Sequence, residues 1–361
     1  MPSDQDIDDA SPVAPRSIPG GELKARIRAE LASHFTWPDS LMPVTRPLQD
    51  LSAVMDLREL ARVAAAVENG KELSFTLISK EYIKTGFNWI NAMLRLDLKN
   101  FLIIAGDRFT SEALDERGIP SVHADIDESE FDASFVTPIG FSAKGLAMIA
   151  LKFPVAKFLS ECGYSVVFSD ADAVWLQDPM PHLSDADIAF QRVIYHPPAI
   201  APLWGFTACT GFVFFRHGKK TIAFLDRCIK AHQSFYCDQV AMNVALFESD
   251  PAWRCEQVPW NPPGAGVWED QSQRRAAFSK FMQFPIKGEL RPNGALVLAL
   301  PHDKFWRHRW VASSPPEMVI CHPNSPKDDL EKMKALGALG VRFPPGVGDR
   351  TSKGIRSNEA G

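Results

Sequence analysis

The chain has 361 residues, 45% of them hydrophobic, enough for one large core or two smaller lobes and too apolar for a disordered protein. Its net charge of -5 comes from 44 acidic against 39 basic residues, and no basic run or basic-aromatic stripe marks a nucleic-acid partner. The longest apolar stretches, "NFLIIAG" and "GALVLALP", fall well short of the roughly 20 residues that cross a bilayer, so no membrane span is expected.

Residues 1–20 are acidic and Pro-containing, without a basic region leading into an apolar one, and are expected to form a loose tail rather than a secretory leader. The six cysteines form no C-x-x-C pair, which predicts buried free thiols instead of zinc or disulfide scaffolding. No Asn-x-Ser/Thr acceptor free of Pro occurs either, and the expected location is the cytoplasm.

Residues 21–71 read as a helical prefix: "GELKARIRAELASHF" and "DLSAVMDLRELARVAAAVENG" have helical spacing, with Gly70 as a stop. From Leu73 short apolar runs alternate with amphipathic segments: "LSFTLIS", a helix around Phe87 to Leu96, "NFLIIAG", a helix near Glu112, then "IPSVHA". Such alternation predicts an α/β body, residues 72–343, with a mainly parallel central sheet flanked by helices. A helical region from Ser142 to Glu161 is expected to kink or restart at Pro154, which has no backbone N–H. It leads into the strand "YSVVFSD". Beyond lie strand-like "FTACTGFVFFRHG", helices from Lys219 to about Ala231 and from Asp238 to Phe247, and "EMVICH". Residues 344–361 are expected to be a second loose tail.

The most informative stretch is "YSVVFSDADAVWLQDP", where a hydrophobic strand meets Asp170 and Asp172. Ligands of open sheets bind beyond the carboxyl ends of strands, and carboxylates one residue apart in extended chain point the same way, toward one hard cation. With diphosphate oxygens completing the shell, the natural ion is Mg2+ or Mn2+. A solvated turn is the bland alternative, since aspartate readily bonds nearby backbone. Against it stand the buried strand before the pair and the apolar "AVWL" after it, where two unpaired charges would be costly.

Four motifs in order, "GYSVVFSDADAVWLQDP", "ACTGFVFFR", "DQVAMN" and "ICHPNSPK", resemble the nucleotide-diphospho-sugar transferases of glycosyltransferase family 77. That family includes plant cell-wall xylosyl- and arabinosyltransferases and a cytoplasmic galactosyltransferase. The resemblance covers Leu73 to Leu336 and implies a GT-A-type nucleotide-sugar-binding fold. It implies a retaining transferase that moves galactose, xylose or arabinose from a UDP-sugar to a hydroxyl of a glycan, protein or small molecule. Asp170, Asp172 and His322 would hold the ion, and an imidazole ligand favours Mn2+ over Mg2+.

The resemblance also implies roles for single residues. Lys327 would hold the β-phosphate, and Lys152, with Lys157 as the alternative, would be a further basic contact. Asp238 would grip sugar hydroxyls while also serving as a helix N-cap, and Gln239 would lie near the anomeric carbon. Thr210 would offer its hydroxyl, and Gly211 would admit the ligand or mark a bulge. Asp170 and Ala171 would contact the donor, as would Ser79, Asn88 and Asp107 along the edge of the first two strands. Tyr82, Phe87 and Trp89 are base-stacking candidates there, with core positions the alternative for Phe87 and Trp89. Trp260 and Trp268 in "PWNPPGAGVWED" are acceptor-stacking candidates, or anchors of a long loop. The competing readings are a catalytically silent sugar-nucleotide or glycan-binding module, and a phosphohydrolase with an aspartate nucleophile, whose motif sits on an early strand.

Overall fold

The computed structural model describes residues 21–340 except 68–69, 128, 130–131, 133, 139, 184, 194–195, 258–282, 308–316 and 324–327. The two expected tails, 1–20 and 344–361, lie outside the described residues.

Helix α1 (Gly21–Phe35) buries Ile27, Leu31 and Phe35, one stripe at four-residue spacing, and rests on a later helix of the body. A single turn, α2 (Arg46–Gln49), follows. Then comes α3 (Leu57–Ala66), which Asp56 caps by accepting the backbone N–H groups of Arg58 and Glu59. These helices share one apolar cluster with the sheet, so the prefix is part of the main core.

The alternating pattern resolves into β1 (Glu72–Ile78), α4 (Ile83–Arg95), β2 (Phe101–Ala105), α5 (Arg108–Asp115) and β3 (Ser121–His123). Next come α6 (Ala143–Ala150), α7 (Lys152–Glu161), β4 (Ser165–Ser169) and the short β5 (Val174–Trp175). The helical region breaks at Leu151, three residues before Pro154. A proline clashes with the carbonyl four residues back, and in the first turn of a new helix its missing N–H has no intrahelical partner to lose. The chain continues through β6 (Ile188–Val193), α8 (Ala201–Trp204), β7 (Thr207–Phe215), α9 (Lys219–His232) and α10 (Asp238–Glu248). It ends with β8 (Ile286–Leu290), β9 (Ala295–Ala299), β10 (Phe305–Trp306), β11 (Ile320–Cys321) and α11 (Asp329–Ala338).

Eight strands form the central sheet in the order β3-β2-β1-β4-β7-β6-β9-β8. β7 and β8 run against the direction shared by the rest, so the sheet is mainly parallel, as the alternation predicts. Side chains alternate between its faces: Val166 and Phe168 of β4 join the cluster under α7, α9 and α10, while Val167 joins the one under α4 and α5. A smaller sheet, β10-β11-β5, covers the second face. Strand order reverses between β1 and β4, and the crevice beyond their carboxyl ends is where α/β sheets bind ligands. Among the described residues, no helix is long and apolar enough to cross a membrane. The cysteines are free thiols, with Cys209, Cys228, Cys237 and Cys321 buried and Cys162 exposed.

Candidate active site

Strand β4 ends at Ser169, and the next residues do not stay extended. Ala173 N–H donates to Asp170 O at 2.9 Å, closing a turn over Asp170–Ala173. The two carboxylates therefore converge by turning instead of by two-residue alternation. The Ser169 hydroxyl pins this turn: the indole N–H groups of Trp89 and Trp175 each donate to it at 3.1 Å, and it lies 3.2 Å from Ala173 O.

Strand β11 then delivers His322 to the same place. Its Nε2 lies 3.8 Å from Asp170 Oδ2 and 3.4 Å from Asp172 Oδ1. Ligand atoms of Asp170, Asp172 and His322 fall within 4.8 Å of one another. Each carboxylate divides its oxygens: Asp170 Oδ1 takes Lys152 Nζ at 3.0 Å, Asp172 Oδ2 takes Lys332 Nζ, and the remaining oxygens face the imidazole. Two carboxylate oxygens and an imidazole nitrogen form a donor set suited to Mn2+, with Mg2+ less favoured by the nitrogen. Burial would push the Asp172 carboxyl up, but Lys332 and His322 outweigh it and hold it well below the usual range. Burial and Arg307 would lower the His322 imidazole, whereas the Asp172 carboxylate outweighs both and raises it.

Gly211 belongs to an irregular stretch of β7. Phe190 pairs with Val213 but Gln191 with Cys209, so Thr210, Gly211 and Phe212 have no partner on β6. A Cβ on Gly211 would sit 2.0 Å from His322 Cε1 and 2.8 Å from Asp170 Oδ2. The glycine thus marks a bulge, one of its two expected readings, and leaves room for the His322 ring and the Asp170 carboxylate beside it.

On the other face of the sheet edge, Lys152 binds Asp238 Oδ2 at 2.5 Å as well as Asp170, with its ammonium 4.4 Å from the centre of the Phe168 ring. Burial would lower this lysine, but the two carboxylates outweigh it and raise it. Asp238, pushed up by burial, is held at about 2 chiefly by Lys152, with a hydrogen bond from the Thr210 side chain. Asp238 is the first helical residue of α10 and Cys237 is the N-cap, so its carboxylate is engaged by Lys152 and Thr210 instead of serving as the cap. Gln239 donates its amide to His196 O at 2.6 Å. Lys157 instead pairs with Asp226 at 2.7 Å and Glu161, so of these two lysines it is Lys152 that reaches the acidic centre.

The nucleotide-edge candidates sit beyond β1 and β2. Ser79 is buried at the end of β1. Asp107 caps α5 through Thr110 N–H at 2.9 Å, accepts Lys80 N–H at 2.8 Å and pairs with Lys144 at 3.4 Å. Burial would push its carboxyl up, but these bonds and Lys144 hold it low. Asn88 is buried, and its Nδ2 has no acceptor among the described residues. Trp89 is fully buried and Phe87 packs under Arg117, which favours their core reading, whereas Tyr82 lies beneath Lys332. Burial and the Asp172 charge push the Tyr82 phenol up to about 12. Ala171 is nearly buried between the aspartates. Lys327, Trp260 and Trp268 lie outside the described residues.

Three contributors carry no sequence signal of their own: Lys332, in a charged run that reads as a solvated helix face; Gln191, inside a buried strand; and Lys144, on α6. Asp329 links α11 to the start of α4 by accepting Thr85 N–H at 2.9 Å and Lys84 N–H at 3.1 Å, which places Lys332 over Asp172.

A family profile described as nucleotide-diphospho-sugar transferase matches residues 96–336. The chain belongs to this family. The matched span holds the acidic turn, Lys152, the β7 bulge, Asp238, His322 and Lys332, and begins after Ser79 and Asn88. The chain is similar to arabinosyltransferase RRA2 of Arabidopsis thaliana, 27% identical over 300 residues, 77% of this chain and 61% of that protein. It is also similar to arabinosyltransferase XEG113 of Arabidopsis thaliana, 34% identical over 103 residues, 28% of this chain and 15% of that protein. It therefore spans less than two thirds of the length of these relatives. A solved structure, the apo-form glycosyltransferase GlyE in Streptococcus pneumoniae TIGR4, overlays 66% of this chain and 56% of that one, with a TM-score of 0.32 and 10% identity.

Proposed function

We propose that this chain is a glycosyltransferase that moves galactose, xylose or arabinose from a UDP-sugar to a hydroxyl of a glycan, protein or small-molecule acceptor, with retention of anomeric configuration. The observation that carries the reading is the convergence of Asp170 Oδ2, Asp172 Oδ1 and His322 Nε2 at the carboxyl edge of the sheet, in a chain of the nucleotide-diphospho-sugar transferase family. These residues would hold Mn2+, or Mg2+ less favourably, which when bound supplies positive charge against the departing diphosphate.

The remaining chemistry falls to the protein. Lys152 keeps Asp238 ionised, and that carboxylate, beside the Thr210 hydroxyl and Gln239, would accept hydrogen bonds from sugar hydroxyls and fix the ring. Asp238 is committed to Lys152, and Gln239, an amide, is a poor nucleophile, so neither favours a covalent sugar-enzyme intermediate. A front-face transfer, with the leaving phosphate taking the acceptor proton, fits this arrangement better. Ser79, Asn88 and Asp107 line the edge assigned to the nucleotide, and Asn88 Nδ2 is a donor in need of an acceptor there. The cytoplasm is proposed as the site of action, and cell fractionation tests it.

The deciding experiment measures nucleoside diphosphate release from a panel of nucleotide sugars with Mn2+, with and without chelator. Release from one UDP-sugar, abolished by chelator and by Asp172→Ala, is expected. Absence of both binding and release for every donor and metal would transfer the case to a silent binding module.

A further inference from the structure

The side chain behind His322 is Gln191, fully buried on β6 where the β7 bulge shifts the register. Its Nε2 donates to Trp306 O at 2.7 Å, a carbonyl that also accepts His322 N–H at 2.9 Å. A carbonyl oxygen only accepts, so the amide nitrogen belongs on that side and Oε1 is left facing His322 Nδ1, at 2.9 Å. An amide oxygen cannot donate, so Nδ1 carries the proton of this bond. In the neutral ring the lone pair then resides on Nε2, on the side of Asp170 and Asp172. The other neighbour of Nδ1, Cys209 Sγ at 4.0 Å, is a weak partner by comparison.

We propose that Gln191 is a positioning residue for the metal site: it sets the tautomer and ring orientation of His322, so that Nε2 is presented to the cation. The proposal rests on the reading of Asp170, Asp172 and His322 as metal ligands and extends it to a residue outside the ligand set. Metal-bound histidines commonly give their second ring N–H to an acceptor in this way, and losing that acceptor weakens the metal by about 10- to 100-fold. The anchor is rigid because the carbonyl that orients the amide also holds the histidine backbone.

The test titrates the purified full chain with Mn2+ and follows the free ion by electron paramagnetic resonance, comparing wild type, Gln191→Leu and Gln191→Glu. Circular dichroism and metal-free thermal unfolding report folding. Gln191→Leu is expected to bind Mn2+ about 10- to 100-fold more weakly. Gln191→Glu still offers Nδ1 an acceptor but loses the donor to Trp306 O, and is expected to stay within about threefold of wild type. If Leu binds like wild type, or Glu loses as much as Leu, the proposal is overturned; the second outcome would assign the role of Gln191 to the Trp306 contact. Nitrogen-15 NMR of wild-type His322, followed upward in pH until the ring is neutral, decides even if neither variant folds: a neutral ring protonated on Nδ1 supports the inference, and one protonated on Nε2 overturns it. Wild type that binds no Mn2+ refutes the site reading as well, whereas normal binding by both wild type and Gln191→Leu refutes this inference alone.

Discussion

Replacing Gly211 with alanine adds one methyl group between the His322 imidazole and the Asp170 carboxylate. The new Cβ would lie 2.0 Å from His322 Cε1, 2.6 Å from His322 Nδ1 and 2.8 Å from Asp170 Oδ2. Carbons settle at about 3.5–4.0 Å, so the ring has to retreat by roughly 1.5 Å. Its surroundings resist: His322 is 1% exposed, with Nδ1 at Gln191 Oε1 and its backbone N–H on Trp306 O. Asp170 is likewise restrained, through Oδ1, by Lys152. Gly211 is not among the residues with positive φ, so the penalty is steric and not conformational. Overpacking of this kind costs about 1–3 kcal/mol. If the ring swings clear in the metal-free protein but must return to bind the ion, that cost appears as about 5- to 150-fold weaker Mn2+ binding. Calorimetric titration of Mn2+, and the Mn2+ dependence of diphosphate release at saturating donor, both measure it. A Gly211→Ala protein with wild-type Mn2+ affinity would refute the assigned packing of the site.

Two further perturbations test the groups around this centre. Lys152→Met leaves Asp238, whose side chain is 6% exposed, without its buried cation, and breaking such a pair costs about 3–5 kcal/mol; chemical denaturation should show a loss of that order, and unchanged stability would show that the pair is not a strut. Burial lowers the fully enclosed His232 from 6.5 to about 4. Between those values the unfolded chain binds a proton that the folded chain does not, so this contribution is complete above pH 6.5 and declines as pH falls toward 4. The loss is on the order of 3 kcal/mol, and His232→Leu should flatten that part of the stability profile relative to wild type; parallel urea-unfolding profiles for the two proteins would contradict it.

Much of the fold was legible because its signals act over a few residues. Continuous apolar runs announced β1, β2, β4 and β7, the amphipathic segments among the early strands announced α4 and α5, and helical stretches after β7 announced α9 and α10. The helix break was readable from Pro154, but its place was not, because the clash acts on residues before the proline and moves the break to Leu151. The acidic pair was legible at the strand end, whereas its conformation was not: a turn, pinned by Ser169 and two tryptophans, replaces the extended geometry. The resemblance singled out both Asp238 and Lys152 but not their pairing, and Lys332, inside the charged run "KDDLEK", carries no local signal of its contact with Asp172.

The amino-acid sequence alone fixes the alternation of strands and helices from β1 to β4, the strand β7 with the helices after it, the acidic residues at the end of β4 and the motifs that mark the family, since periodicity, turn chemistry and motif spacing are properties of neighbouring residues; β6, β8 and β9 carry no such reading. Only the tertiary structure decided which groups neutralise and orient those acids. Lys152 meets Asp238 across 86 residues, Gln191 meets His322 across 131, and Lys332 meets Asp172 across 160. No local pattern encodes such pairings. They exist because the sheet gathers the carboxyl ends of distant strands along one edge, where a buried charge is stable only beside a partner brought there by the fold.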